Sequence, residues 1–237
     1  MNIHPTTGLS KVLLIISGSL VTALGLLVVV GWHTHNEALI QVRPNFVTVV
    51  YNTGLGLILC GAGILAIAVN RLRWATAGGV LAAAFGLLTL VEYQFGVDLG
   101  IDQILMRPYI NVANAFPGRM AISTAAFFFV AGAAISLLGL TKRFRYRPLI
   151  VGIVGSACAI QGLVALVGYF TGVASVYVWG DLARMSIQTA LGVTMAGTGI
   201  LILAWRDQGP RLARRESYWL PILIGLSVVT VSLCMWQ

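Results

Sequence analysis

Seven apolar runs of about 20 residues, each long enough to cross a bilayer as a helix, constrain this chain more than anything else in it. They fall at roughly Val12–Gly31, Phe46–Ala68, Ala75–Tyr93, Met120–Leu140, Pro148–Phe170, Met185–Trp205 and Trp219–Trp236. Inside lipid a backbone must satisfy its own hydrogen bonds, which continuous apolar runs of this length do as helices. Charged residues make up only 9% of the 237 residues, and mean hydropathy is +0.91. Soluble domains carry about a quarter charged residues, so a soluble fold is excluded. The expectation is an all-α integral membrane protein with seven transmembrane helices, residues 1–237 forming a single transmembrane domain. The first run follows Lys11 and lacks a small-residue cleavage site after it, so it reads as a retained span rather than a signal peptide.

The net charge of +8 reports topology rather than a nucleic-acid partner. Eleven of the fifteen basic residues cluster at Lys11, Arg71 and Arg73, at Lys142 to Arg147, and at Arg206 to Arg215. These are alternate connections. Arg43, Arg107, Arg119 and Arg184 lie in the intervening ones with four of the seven acidic residues, and a fifth, Glu92, ends the third run beside them. The positive-inside bias therefore places the N-terminus in the cytoplasm and, with seven spans, the C-terminus outside.

Internal repetition orders the spans. Gly18 and Gly25, Gly79 and Gly86, and Gly155 and Gly162 are each seven residues apart, and the second glycine opens GLLVVVGW, GLLTLVEY or GLVALVGY. The partner spans share NTGLGLILCGAG, STAAFFFVAGAA and QTALGVTMAGTG, with Thr53, Thr124 and Thr189 each eight residues before Gly61, Gly132 and Gly197. Three repeated helical hairpins follow, at approximately 12–70, 73–141 and 147–206, plus a final span at 219–236. Residues seven apart share a helix face, where glycine lets backbones approach closely.

Polar residues within spans mark helix contacts or a site. Asn52, Ser123 and Gln188 stand one residue before the repeated threonines, and Trp32, Tyr93 and Tyr169 end the partner helices. Around a threefold arrangement these sets would meet near the outer surface as an aromatic-lined polar pocket; interfacial anchoring is the competing reading of the aromatic trio. Glu92 replaces a repeat glycine, its counterparts being Gly31 and Gly168. Its expected counter-charges are Arg119 and Arg184, each five residues before a repeated threonine. The alternative is independent snorkelling of these charges to the interface. His33, His35 and Glu37 in GWHTHNE form a weak zinc or copper pattern, for which a solvated loop is the simpler reading. No other metal is indicated and no cofactor is required. Cys60, Cys158 and Cys234 sit in apolar runs without ligand or pairing spacing.

Several activities find no residues to carry them. No span holds a mid-membrane lysine or histidine for retinal or haem, and no phosphate loop, dinucleotide fingerprint or nucleophile elbow occurs. No acidic group lies near a midplane, as a proton-coupled transporter usually needs. The chain is not expected to be an enzyme.

The stretches VRPNFVTVVYNTGLGLILCGAG, LTLVEYQFGVDLGIDQIL and PGRMAISTA, with the closing WLPILIGLSVVTVSLCMWQ, resemble the multi-pass N-terminal membrane sensor region of bacterial signalling proteins. These are sensor histidine kinases and diguanylate cyclases in which such a region often precedes an extracytoplasmic CHASE domain. The hairpin plan is also similar to MHYT sensors in architecture alone, since the MHYT residues are absent. The resemblance implies a sensory input module of the bacterial inner membrane that binds a ligand near the outer face and relays a helix-packing change. Kinase or cyclase output, if any, would lie beyond Gln237. It implies the lipid bilayer, a small-molecule or lipid ligand, and a second copy or a signalling chain as partners. A small-molecule or lipid transporter, and a membrane scaffold for a separate signalling chain, are the alternatives.

Overall fold

A computed structural model describes residues 6–43, 46–110, 116–140, 146–171 and 185–208. Among them every regular element is helical: α1 (Thr6–His33), the single-turn α2 (Glu37–Ile40), α3 (Tyr51–Ala68), α4 (Leu72–Phe95), α5 (Ile122–Gly139), α6 (Arg147–Thr171) and α7 (Ile187–Gln208). All but α2 are long and apolar enough to cross a membrane. The run Trp219–Trp236, with Cys234, lies outside the described residues.

Each long helix packs most extensively on its neighbour in a hairpin: α1 on α3, α4 on α5, and α6 on α7. The helices α3, α5 and α7 also touch one another, whereas α1, α4 and α6 do not. Each of the latter instead reaches one inner helix of another hairpin, α1 touching α7, α4 touching α3 and α6 touching α5. The result is an inner triangle with three outer helices set around it. Burial follows: 56% of the most apolar stretch is buried in α3, α5 and α7, against 28% in α1 and α4. The outer faces present residues such as Leu26, Leu87 and Leu163, which suit acyl chains. The inner triangle is filled by Leu57, Ile64, Phe127, Phe128, Ile135 and Ile200, all fully buried.

Lipid and an apolar side chain are equally apolar, so close packing holds such helices together. Glycine makes that packing tight. A Cβ on Gly18 would lie 3.0 Å from the Gly61 carbonyl oxygen, one on Gly79 2.7 Å from that of Gly132, and one on Gly155 3.0 Å from that of Gly197. Seven residues along, Gly25 meets Gly54, Gly86 meets Ala125 and Gly162 meets Ala190 in the same way. The small residue after each of Thr53, Thr124 and Thr189 thus supplies a second crossing contact.

The two ends of the bundle differ. Residues 69–71 connect α3 to α4 at a basic end, and Arg147 and Arg206 lie there too. Arg147 opens α6 at this end and is itself buried. It is 3% exposed, donates from Nε to Asp207 at 2.7 Å and from Nη1 to the Leu140 carbonyl at 3.2 Å. The pair ties α6 to α7 and to the end of α5.

At the opposite, loop end, α3 and α5 start later than the apolar runs. Val50 and Ala121 are extended (ψ 151° and 147°), so helix begins at Tyr51 and Ile122 rather than Phe46 and Met120. Hydropathy does not distinguish an apolar helix from an apolar entry segment. α4 ends at Gly96, whose φ of +63° suits a residue without a Cβ and turns the chain across the bundle. Gly118 (φ +82°) makes the return turn, where a Cβ would lie 2.8 Å from the Asp102 carbonyl oxygen. That close approach places Arg119 against Asp102.

Candidate functional site

Hydrogen bonds from several elements seat the first part of the long connection, residues 96–110, on the loop end. Leu99 N–H donates to Glu92 Oε1 at 2.9 Å, Asn52 Nδ2 to the Ile101 carbonyl at 3.1 Å, Arg119 Nε to Asp102 Oδ2 at 2.6 Å, and the Tyr109 hydroxyl to the Gly31 carbonyl at 3.3 Å. Their anchors belong to α4, α3, the entry to α5, and α1. Tyr109 also packs edge-on against Trp32, ring centroids 5.0 Å apart.

Beneath this segment lies a charged cluster. Glu92 is fully buried, Asp102 is 5% and Arg119 3% exposed, while Asp98 opens to solvent at 78%. Arg119 Nε is 3.4 Å from Glu92 Oε2, and Nη2 is 3.8 Å from Asp98 Oδ1. The single Nε–H is committed to Asp102, so Glu92 is left with charge attraction but no second hydrogen bond. Glu92 Oε2 and Asp102 Oδ1 are both buried without a hydrogen-bond partner. The guanidinium lies over two rings that meet edge to face, 4.5 Å from the centroid of Phe116 and 5.3 Å from that of Tyr93. Burial pushes the Asp102 carboxyl above the ordinary carboxylate range, against the pull of Arg119 and with the repulsion of Asp98.

The aromatic trio behaves in one common way, as anchors of backbone rather than walls of a pocket. Trp32 Nε1 donates to the Val49 carbonyl at 2.8 Å, the Tyr93 hydroxyl to that of Met120 at 3.1 Å, and the Tyr169 hydroxyl to that of Met185 at 2.7 Å. Each acceptor stands four residues before Thr53, Thr124 or Thr189. The end of each outer helix thereby holds the extended entry to its partner. Removing one donor strands a buried carbonyl, which costs about 1–3 kcal/mol. Tyr93→Phe and Tyr169→Phe are each expected to lower stability by about 1 kcal/mol or more on that basis, read as earlier unfolding in detergent. An unchanged Tyr169→Phe would reduce these rings to membrane-interface anchors.

A small cavity does lie among the three entries, but its walls differ from the expected set. Thr48, Thr53, Arg119, Thr124, Ser186 and Thr189 line it with neighbouring backbone, and its volume of about 10 Å³ has room for about one water. Asn52, Ser123 and Gln188, one position earlier in each helix, are not among its walls. Asn52 holds the 96–110 segment, the Ser123 carbonyl accepts from Gln161 Nε2 at 2.9 Å, and Gln188 has a buried, unpartnered Oε1. Gln161, the deepest polar residue in the sequence, thus joins α6 to α5. One residue along a helix is a turn of about 100°, enough to exchange the threonines for their neighbours at the axis.

Arg184 lies outside the described residues. His33, His35 and Glu37 do not assemble as metal ligands. His33 Nε2 is 3.2 Å from the Tyr51 hydroxyl, His35 stacks on Tyr109, and Glu37 opens α2. Among the described residues, Glu92, Asp98 and Asp102 alone bring three potential ligand oxygens within 4.8 Å of one another. Of these, Asp98 and Asp102 had been read only as loop charges. Their sequence signal was weak, since nothing in GVDLGID fixes which carboxylate turns inward.

Comparison with known proteins finds no matching family model, no similar curated protein and no similar solved structure.

Proposed function

We propose that this chain is a membrane-embedded sensory input module whose responsive layer is the loop end of the bundle. One observation carries the reading: Arg119 joins a carboxylate from a span, Glu92, to one from the seated connection, Asp102, and also lines the cavity among the inner-helix entries. A ligand that alters this cluster acts at once on the connection and on the axis of the bundle. Tight glycine crossings then favour discrete repacking over gradual deformation. The transporter reading is less favoured, because Leu57 and Phe128, one turn along α3 and α5 from the cavity's Thr53 and Thr124, and the adjoining Phe127 are fully buried apolar side chains.

The proposal extends to the finer architecture. The three hairpins are copies related by rotation, supported by their shared glycine contacts and aromatic anchors. Residues 219–236 are a seventh span leading outward, and the chain sits in a bacterial inner membrane with its N-terminus inside. Signal output belongs to a following segment or a partner chain.

The test is distance measurement at the basic end. Trp74 and Trp205 are both well exposed there and suit paired spin labels after replacement by cysteine. Glu92→Gln is expected to shift or broaden the distance distribution between them in nanodiscs. An identical distribution in a folded Glu92→Gln variant would favour a static scaffold, and solute flux in proteoliposomes would favour the transporter.

A further inference from the structure

We infer that Glu92, Asp98 and Asp102 form a binding site for a hard divalent cation of calcium size, entered from the loop end. Three carboxylates face one guanidinium, so with all three ionised the cluster carries two negative charges in excess where two of the three side chains are at least 95% buried. Arg119 pairs with all three carboxylates, but it donates from Nε to Asp102 Oδ2 at 2.6 Å and from Nη2 to the Val97 carbonyl at 3.4 Å, and no hydrogen bond from it reaches Glu92 Oε2 or Asp102 Oδ1. Independently of that count, two buried oxygens, Glu92 Oε2 and Asp102 Oδ1, have no hydrogen-bond partner. Such orphans are costly unless something fills the place of the missing donor.

One ligand oxygen from each carboxylate lies within 4.8 Å of the others, close enough for one cation to reach all three. Calcium accepts irregular sets of six to eight oxygens, whereas magnesium demands near-ideal octahedral geometry. The exposed Asp98 leaves the mouth open to the waters that would complete such a set. A bound divalent cation would neutralise the cluster and fix residues 98–102 on the end of α4. This inference concerns binding alone and does not require the basic end to respond.

Equilibrium dialysis with calcium-45, on the full chain in an uncharged maltoside detergent, reads binding directly. One saturable ion per chain is expected, with half-saturation at about 0.1–1 mM, the range of open, weakly ordered calcium sites. Asp98→Asn, at an exposed position where the amide oxygen can still accept from the Gly100 N–H, is expected to weaken binding about tenfold or more, and Asp98→Glu to retain it. No saturable binding in that range, equal affinity in wild type and Asp98→Asn, or tighter binding of magnesium than of calcium would overturn the inference. No binding would indicate that Glu92 and Asp102 instead share a proton. Because the spin-label distances are measured separately, failure here and failure of the sensory reading are distinguishable.

Discussion

Arg119→Met is expected to be the most destabilising single change at the loop end, costing about 3–5 kcal/mol as the loss of one partner from a buried ion pair does. The charge arithmetic sets the direction. Arg119 is 3% exposed and, among the described residues, is the only cation paired with Glu92 and Asp102, so methionine would leave two buried carboxylates facing each other and Asp98. The cation–π contacts with Phe116 and Tyr93 would also be lost. Adding Asp102→Asn to Arg119→Met should recover part of the loss, because a neutral amide needs no counter-charge. Thermal unfolding in detergent with chelator present would show this as a double variant more stable than Arg119→Met alone. A loss below about 1 kcal/mol, the value of an exposed pair, would mean that water reaches these groups and interfacial snorkelling describes them better.

The second large effect is expected at the glycine crossings. A Cβ on Gly162 would lie 2.6 Å from the Ala190 carbonyl oxygen, and closer still to the Thr194 hydroxyl. Real side chains do not approach a backbone carbonyl that closely, so α6 and α7 would have to separate. Gly162→Leu is expected to reach or pass the upper end of the about 1–3 kcal/mol that overpacking usually costs, and Gly86→Leu to do the same at α4 and α5. Gly152 is the internal control: on the same helix, a Cβ there meets only Ala204 Cβ at an ordinary 3.7 Å. Gly152→Ala should therefore unfold close to wild type while Gly162→Ala unfolds earlier. Equal behaviour of the two would show that the crossings are looser than described.

What the sequence disclosed follows from which signals are periodic. Hydropathy located all six long described helices because each must present an apolar surface along its whole length. Spacing of seven brought out the glycines because residues seven apart return to one face. The same logic isolated Glu92, since a carboxylate replacing a repeat glycine stands out against Gly31 and Gly168, and Arg119 was recoverable from its fixed offset to Thr124. The connection offered no such periodicity. That Asp102 rather than Asp98 turns inward depends on the turn at Gly118 and on Asn52 holding the Ile101 carbonyl, both long-range in sequence. The aromatic trio was equally legible as a set, yet its hydrogen-bond acceptors are main-chain carbonyls, which no side-chain pattern displays. The burial of Arg147 is illegible for a similar reason: its partner, Asp207, lies on another helix and not in its own basic neighbourhood.

The account rests on Arg119 serving as the common counter-ion of a span and of the connection above it. The most direct test is a pair of double-mutant cycles in metal-free buffer, coupling Arg119→Met to Asp102→Asn and to Glu92→Gln. Coupling of about 1 kcal/mol or more is expected in both cycles, larger with Asp102 at 2.6 Å than with Glu92 at 3.4 Å. Additive losses in both cycles would contradict it, because they would show that the three side chains lie near one another without depending on one another.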